Sequence, residues 1–175
     1  MVLSRLSKMG CIYICLSLFF ITGCGEYFGL SWEECFEKGK IIKSDTSIPK
    51  EKRFAGAEEA YLVALRKLEK ALDKKQVQTK DMRELFNEIE ILFRNQTKYA
   101  ELEPILKKKV ELYEKYLGGD KILTGAAHEN LGHLYKQLKR NQDAVFEYQL
   151  AMRIYETQKR ESGVERIQNL IQTLN

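Results

Sequence analysis

One arrangement of small and aromatic residues occurs three times along the chain. Phe54-x-x-Ala57-x-x-x-Tyr61-x-x-Ala64 is followed by Tyr99-x-x-Leu102-x-x-x-Leu106-x-x-Lys109, and then by Asn141-x-x-Ala144-x-x-x-Tyr148-x-x-Ala151. The equivalent residues Ala57, Leu102 and Ala144 lie 45 and 42 positions apart. A period of this size restricts a chain to stacked units, each covering the apolar face of the next. Inside each copy the apolar residues recur every three or four positions, as on one face of a helix. No alternation of the strand kind persists. The chain is therefore expected to be all-α.

The stretches upstream repeat as well. Leu131-Gly132-x-x-Tyr135 precedes the third copy, and Ile89-Glu90-x-x-Phe93 stands at the same 42-residue offset before the second. Small residues (Gly132, Ala144, Ala151) let two helices approach, while Leu131, Tyr135 and Tyr148 fill the space between them. These residues resemble the tetratricopeptide repeat, most fully from Gly125 to Glu156. The spacing and the wording around Tyr99–Gly118 and Ala126–Leu138 look like its longer, kinesin-light-chain type. The resemblance covers residues 50–157. It implies a right-handed helical solenoid of about three helix pairs with a C-terminal capping helix. Helices are expected near 31–42, 51–74, 81–96, 99–117, 124–139, 142–158 and 163–174. The first would be a degenerate half of copy one, centred on Trp32 and Phe36, with a loop at 43–50 before its partner.

Two departures from the pattern coincide in copy two. Glu90 stands where copy three has Gly132, and Lys109 where it has Ala151. They are expected either to pair as ions or to mark looser packing. Pro104, which removes one helical hydrogen bond, predicts a kink or a late start in the helix after Tyr99. Asp81 with Glu84, and Ser162 with Glu165, have capping-box spacing, and Thr124 and Asn141 are candidate N-caps. Gly118-Gly119 is expected to end a helix.

At the N-terminus, Arg5 and Lys8 precede an apolar stretch from Cys11 to Ile21, broken by Ser17 and followed by Thr22-Gly23-Cys24. A charged start, a short apolar middle and small residues before a cut describe a secretory signal. The apolar part is short for a spanning helix, which needs about 20 residues. Ile21-Thr22-Gly23-Cys24 resembles the lipobox of bacterial lipoproteins. That resemblance implies cleavage after Gly23, diacylation of the Cys24 sulfur, and attachment to the cell envelope. Gly25, in place of an aspartate, favours the outer over the inner membrane by the sorting rule of such lipoproteins. The alternatives are an uncleaved anchor or a secreted protein with an incidental cysteine. The expected organisation is a signal peptide at 1–23, a lipidated tether at 24–30 and the repeat domain at 31–175.

Processing would leave 152 of the 175 residues, enough for one domain with a core. It would also remove Cys11 and Cys15 and occupy Cys24, leaving Cys35 alone and no intramolecular disulfide. The signal carries two cations and no acid, so the 29 Lys+Arg become 27 against 25 Asp+Glu. That near balance argues against nucleic-acid binding. Lys107-Lys108-Lys109 reads as a solvated helix face.

Catalytic signals are sparse. His128-Glu129-Asn130-Leu131-Gly132-His133 resembles a zinc-protease motif, but its histidines are five apart rather than four. On a regular helix they diverge by about 140° and cannot share a metal. No phosphate-binding glycine loop is present, since Gly118-Gly119 lacks the glycine and lysine that would follow. Cys35 reads as a small apolar core residue. No cofactor, metal or catalytic set is expected.

The family resemblance implies that the first helix of each pair lines a concave groove. Carried across, the groove presents Asn87, Ile91, Arg94 and Asn95 from copy two, and Glu129, Asn130, His133, Lys136 and Gln137 from copy three. Asparagine can hold a peptide backbone by donating and accepting at once. Arg94 and Lys136, one repeat apart, would suit an acidic segment. A lysine–asparagine carboxylate clamp of the chaperone-binding members is not found at matching positions. These residues suggest a membrane-anchored module that docks an envelope protein or peptide, in assembly or secretion. A self-associating structural lipoprotein is the alternative, and an enzyme the more remote one.

Overall fold

The computed structural model describes residues 26–74, 77–119 and 121–174. The signal segment and Cys24 lie outside the described residues. Among the described residues seven helices follow one another: α1 (Trp32–Ser44), α2 (Lys50–Leu72), α3 (Thr79–Asn95), α4 (Tyr99–Leu117), α5 (Ile122–Gln137), α6 (Asn141–Thr157) and α7 (Glu161–Gln172). Each packs against the next, giving three pairs and a last helix. No described helix is long and apolar enough to cross a membrane.

Pairs one and three are closed by the same device. Gly132 of α5 lies against the Tyr148 ring of α6, so near that a Cβ would meet the ring at 2.6 Å. Gly39 of α1 lies against Tyr61 of α2, where a Cβ would meet Cδ1 at 2.5 Å. Both tyrosines are fully buried, as are the alanines beside them, Ala57, Ala60, Ala64, Ala144 and Ala151. Small against large at one level lets helix backbones come together without a void. The first helix is thus a full partner, with Gly39 in the role of Gly132.

Pair two departs from this scheme. Its helices α3 and α4 touch less extensively than the helices of the other two pairs. Glu90 and Lys109 occupy the small-residue positions and meet across the gap, Nζ to Oε2 at 3.4 Å. Lys109 is only 4 % exposed. Burial pushes its pKa down, against the pull of Glu90. Both expected consequences occur together, an ion pair and wider packing. Larger apolar groups fill the rest of the interface, with Phe86 and Tyr113 edge to face at 6.1 Å.

Three turns are closed from the preceding helix. Thr97, Lys139 and Lys159 have φ of 56°, 58° and 53°. The following residue donates back to the helix in each case: Lys98 to the carbonyl of Phe93, Arg140 to that of Tyr135, Arg160 to that of Tyr155. This is the Schellman arrangement, built here without glycine. Before α6 and α7 it displaces the caps expected at Asn141 and Ser162, while α3 starts two residues ahead of the cap expected at Asp81. Helices α3, α6 and α7 start at Thr79, Asn141 and Glu161, after Gln78, Arg140 and Arg160, none of which caps through its side chain. Thr124 is not an N-cap either. It sits inside α5, fully buried, and its hydroxyl donates to the carbonyl of Gly118 at 2.9 Å. The one capping box described belongs to Ser31 and Glu34 at the start of α1. Gly118 does end α4, at φ 102°. Pro104 delays nothing: α4 begins at Tyr99 and carries the proline in its second turn.

Candidate protein-binding face

Side-chain bonds show which helices stand side by side. Lys40 and Lys43 of α1 reach Glu84 and Glu88 of α3, at 3.2 and 2.6 Å. Asn130 of α5 donates to Glu90 of α3 at 3.2 Å. Arg166 of α7 grips Glu129 of α5 through two bonds of 2.8 and 2.9 Å. The odd-numbered helices therefore form one layer. On the other side Lys115 of α4 reaches Asp73 beyond α2, and Arg140 before α6 reaches Glu103 of α4. The stack is two-layered, and every expected groove residue lies on the odd layer.

Those residues divide into committed and open ones. Glu129 is not open. It is 8 % exposed and accepts from Tyr155 at 2.7 Å as well as from Arg166. His133 Nε2 stands 3.7 Å away. Burial pushes the Glu129 pKa up, but the nearby His133 and the hydrogen bonds from Arg166 and Tyr155 outweigh it and hold the group at about 2. Its charge serves to fasten α7 onto α5. Arg94 is also committed, with Nε and Nη2 both directed at Glu90 Oε1 at 3.1 and 2.9 Å. Glu90 thus gathers Arg94, Lys109 and Asn130. Lys136 reaches the Thr173 hydroxyl at 3.4 Å. His133 accepts or donates at Nδ1 to the Tyr148 hydroxyl, 2.8 Å away, and remains partly exposed.

What stays open is a stripe on α3, Asn87, Ile91 and Asn95, with Gln137 exposed on α5. Ile91 is 47 % exposed, an apolar group among amides. The layer has a fourth contributor that the sequence reading passed over. Aligning Gly39 with Glu90 makes Lys40 and Lys43 the counterparts of Ile91 and Arg94. The signal was Gly39-x-x-Ile42 against Gly132-x-x-Tyr135, obscured by the different spacing to the second helix.

The two histidines take separate partners. His128 Nδ1 lies 2.7 Å from Glu147 and its Nε2 3.4 Å from Glu114, away from His133. No cluster of metal-ligating side chains occurs among the described residues. Cys35 is fully buried, and burial raises its thiol pKa. It is out of reach of an intermolecular disulfide while the fold is intact.

The Glu129 cluster makes stability acid-sensitive. A carboxyl held at about 2 when folded, and near 4.5 when free, stabilises fully above about 4.5. That contribution disappears as pH falls toward 2. Glu129→Gln should cost about 1–3 kcal/mol at neutral pH. Urea melts at pH 7, 4 and 2.5 should show the gap between wild type and variant closing. A gap constant with pH would mean that Glu129 is not held ionised by these donors. Asp45, Asp73 and Glu103, also held low, titrate in both proteins and cancel in the difference.

No curated protein matches the chain. A family model, the tetratricopeptide repeat, matches residues 82–157, which span α3 to α6. The matched stretch holds the Gly132–Tyr148 contact and both departures, Glu90 and Lys109. Residues 82–157 are thus similar to the tetratricopeptide repeat, and the helix pairs that the chain forms are consistent with that fold.

Proposed function

We propose that this protein is a lipid-anchored docking module of the bacterial envelope, which holds a peptide segment of a partner protein along the odd-helix layer. The repeat itself points to protein partners. The observation that carries the reading is Ile91, an exposed aliphatic side chain flanked one turn away on each side by the exposed amides of Asn87 and Asn95. An apolar anchor takes a side chain, and amides beside it pair with the backbone on either side of that side chain. His133, one repeat further on, extends the line. The pairing of Arg94 with Glu90 and the bond of Lys136 to Thr173 shift the expected ligand from an acidic segment to an uncharged one with an apolar residue. The Ile21–Cys24 lipobox supports the anchor, and Gly25 the outer membrane.

The test is recovery of partner with the Cys24-anchored protein from its own cells, followed by mass spectrometry. Exposed substitutions usually move stability by no more than about 0.5 kcal/mol. Ile91→Asp with Asn87→Ala should therefore keep the wild-type melting temperature and lose the recovered protein. Undiminished recovery by this variant would remove the odd layer as the docking face. Recovery of further copies of the same chain, and nothing else, would assign the face to self-association.

A further inference from the structure

The stretch between the anchoring cysteine and the first helix is part of the fold. Tyr27 is buried, and Lys67 of α2 donates to its carbonyl at 2.9 Å and also to the carbonyl of Leu30. Lys38 of α1 reaches Glu26 at 2.7 Å and stands over the Tyr27 ring at 4.6 Å. Gly29, at φ +81°, turns the chain into Leu30 and the Ser31 cap. The corner is fixed at both of its ends to helices α1 and α2.

Phe28 is the exception inside this corner. Tyr27 before it and Leu30 beyond Gly29 are engaged, yet its ring is 91 % exposed, the largest exposure among the exposed large apolar residues described. It follows Cys24 by four residues, a reach of about 14 Å at full extension. The headgroup layer is about 5–8 Å deep on each side of the hydrocarbon. A lipid on Cys24 therefore holds Phe28 within about 14 Å of the anchored cysteine, close enough for its ring to reach the headgroup layer. Phenylalanine side chains bury at the headgroup and acyl boundary in interfacial segments.

We propose that the Glu26–Ser31 corner lies flat on the bilayer that holds the Cys24 lipid, with the Phe28 ring inserted among its headgroups. This rests on the lipid-anchor reading above and adds an orientation to it. The domain does not swing on a tether. It stands on its first pair, with α7 at the far end of the stack. The open stripe on α3 belongs to the middle pair, held at a set height above the membrane.

The experiment uses the full chain expressed in a bacterium that processes lipoproteins, purified in detergent and placed in phosphatidylcholine vesicles with brominated acyl chains. Phosphatidylcholine carries no net charge, so ionic attraction does not bring the corner down. Trp32 is the natural tryptophan, and a second is introduced as Phe28→Trp or, at the far end, as Asn169→Trp. Both positions are exposed, so the substitutions should leave the fold intact. The expected result is loss of the added emission at position 28 in brominated vesicles and none at position 169. Mass spectrometry of the same preparations reads the lipid. A diacylated Cys24 with unquenched emission at position 28 overturns the orientation and leaves the anchor standing. Absence of the lipid mass overturns both. Equal quenching at 28 and 169 overturns the orientation, because the domain then lies on its side.

Discussion

Gly132→Leu should lower the melting temperature by several degrees. A Cβ alone would stand 2.6 Å from the Tyr148 ring, and leucine adds three more carbons in the same direction. The ring cannot yield cheaply. It is fully buried, and its hydroxyl is bonded to His133. Overpacking of this kind costs about 1–3 kcal/mol. In a domain of about 150 residues each kcal/mol moves the melting temperature by ~2–4 °C. Gly39→Leu should behave alike, since Tyr61 stands in the same relation to it. Gly119, with nothing within 4 Å, supplies the control, and Gly119→Leu should melt with the wild type. Scanning fluorimetry reads all three. A wild-type melting temperature for Gly132→Leu would show that α5 and α6 do not meet in this register.

The larger effect is expected in pair two, where Glu90→Leu should destabilise by about 3–5 kcal/mol, because it strands a buried cation. Lys109 is 4 % exposed, and Glu90 is its ion-pair partner among the described residues. Glu90 is better provided for. In Lys109→Met it would keep Arg94 and Asn130, so that variant should lose much less. The double variant Glu90→Leu with Lys109→Met leaves no buried charge stranded, since Arg94 is partly exposed and can turn to solvent. Its stability should return to wild type or exceed it, as apolar replacements of buried ion pairs often do. Urea unfolding of the four proteins closes the cycle. Additive losses, with the double variant worst, would mean that the two groups act independently.

The contrast between these two cases shows what could be read from residues alone. Helix positions were legible because the three- and four-residue spacing of buried groups is a property of the chain itself. The observed helices begin and end within about two residues of the expected ones over most of the chain. The Glu90–Lys109 pair was legible for a sharper reason. Two small residues were missing from one copy at positions that face each other, and opposite charges stood in their place. The groups that close the helix starts were not legible. Asp81, Asn141 and Ser162 are good caps by composition, but α3 starts ahead of Asp81, and the turns before α6 and α7, like the one before α4, are closed by the preceding helix through Lys139, Lys159 and Thr97 in a conformation that usually signals itself with glycine. Without the glycine there was nothing to see. Glu129 was misplaced for a third reason. Its repeat position is a groove position, yet Tyr155 of α6 and Arg166 of α7 both turn toward it, and Arg166 lies beyond the aligned copies. A repeat alignment carries no information about a partner outside the repeat. Gly39 escaped because the segment joining α1 to α2 differs in length from the others, which broke the period just where the first pair begins.

The wider spacing of pair two has a mechanical meaning. In a column of coils the stiffness of the whole is set by its softest turn. Here the outer coils are clamped by rings pressed on glycine, with no slack to give. The middle coil is propped by one carboxylate that binds α3 to both α4 and α5. Bending the column therefore concentrates at its centre, directly beneath Asn87, Ile91 and Asn95. A segment seated there would feel a surface whose curvature adjusts to it, while the two ends keep their shape.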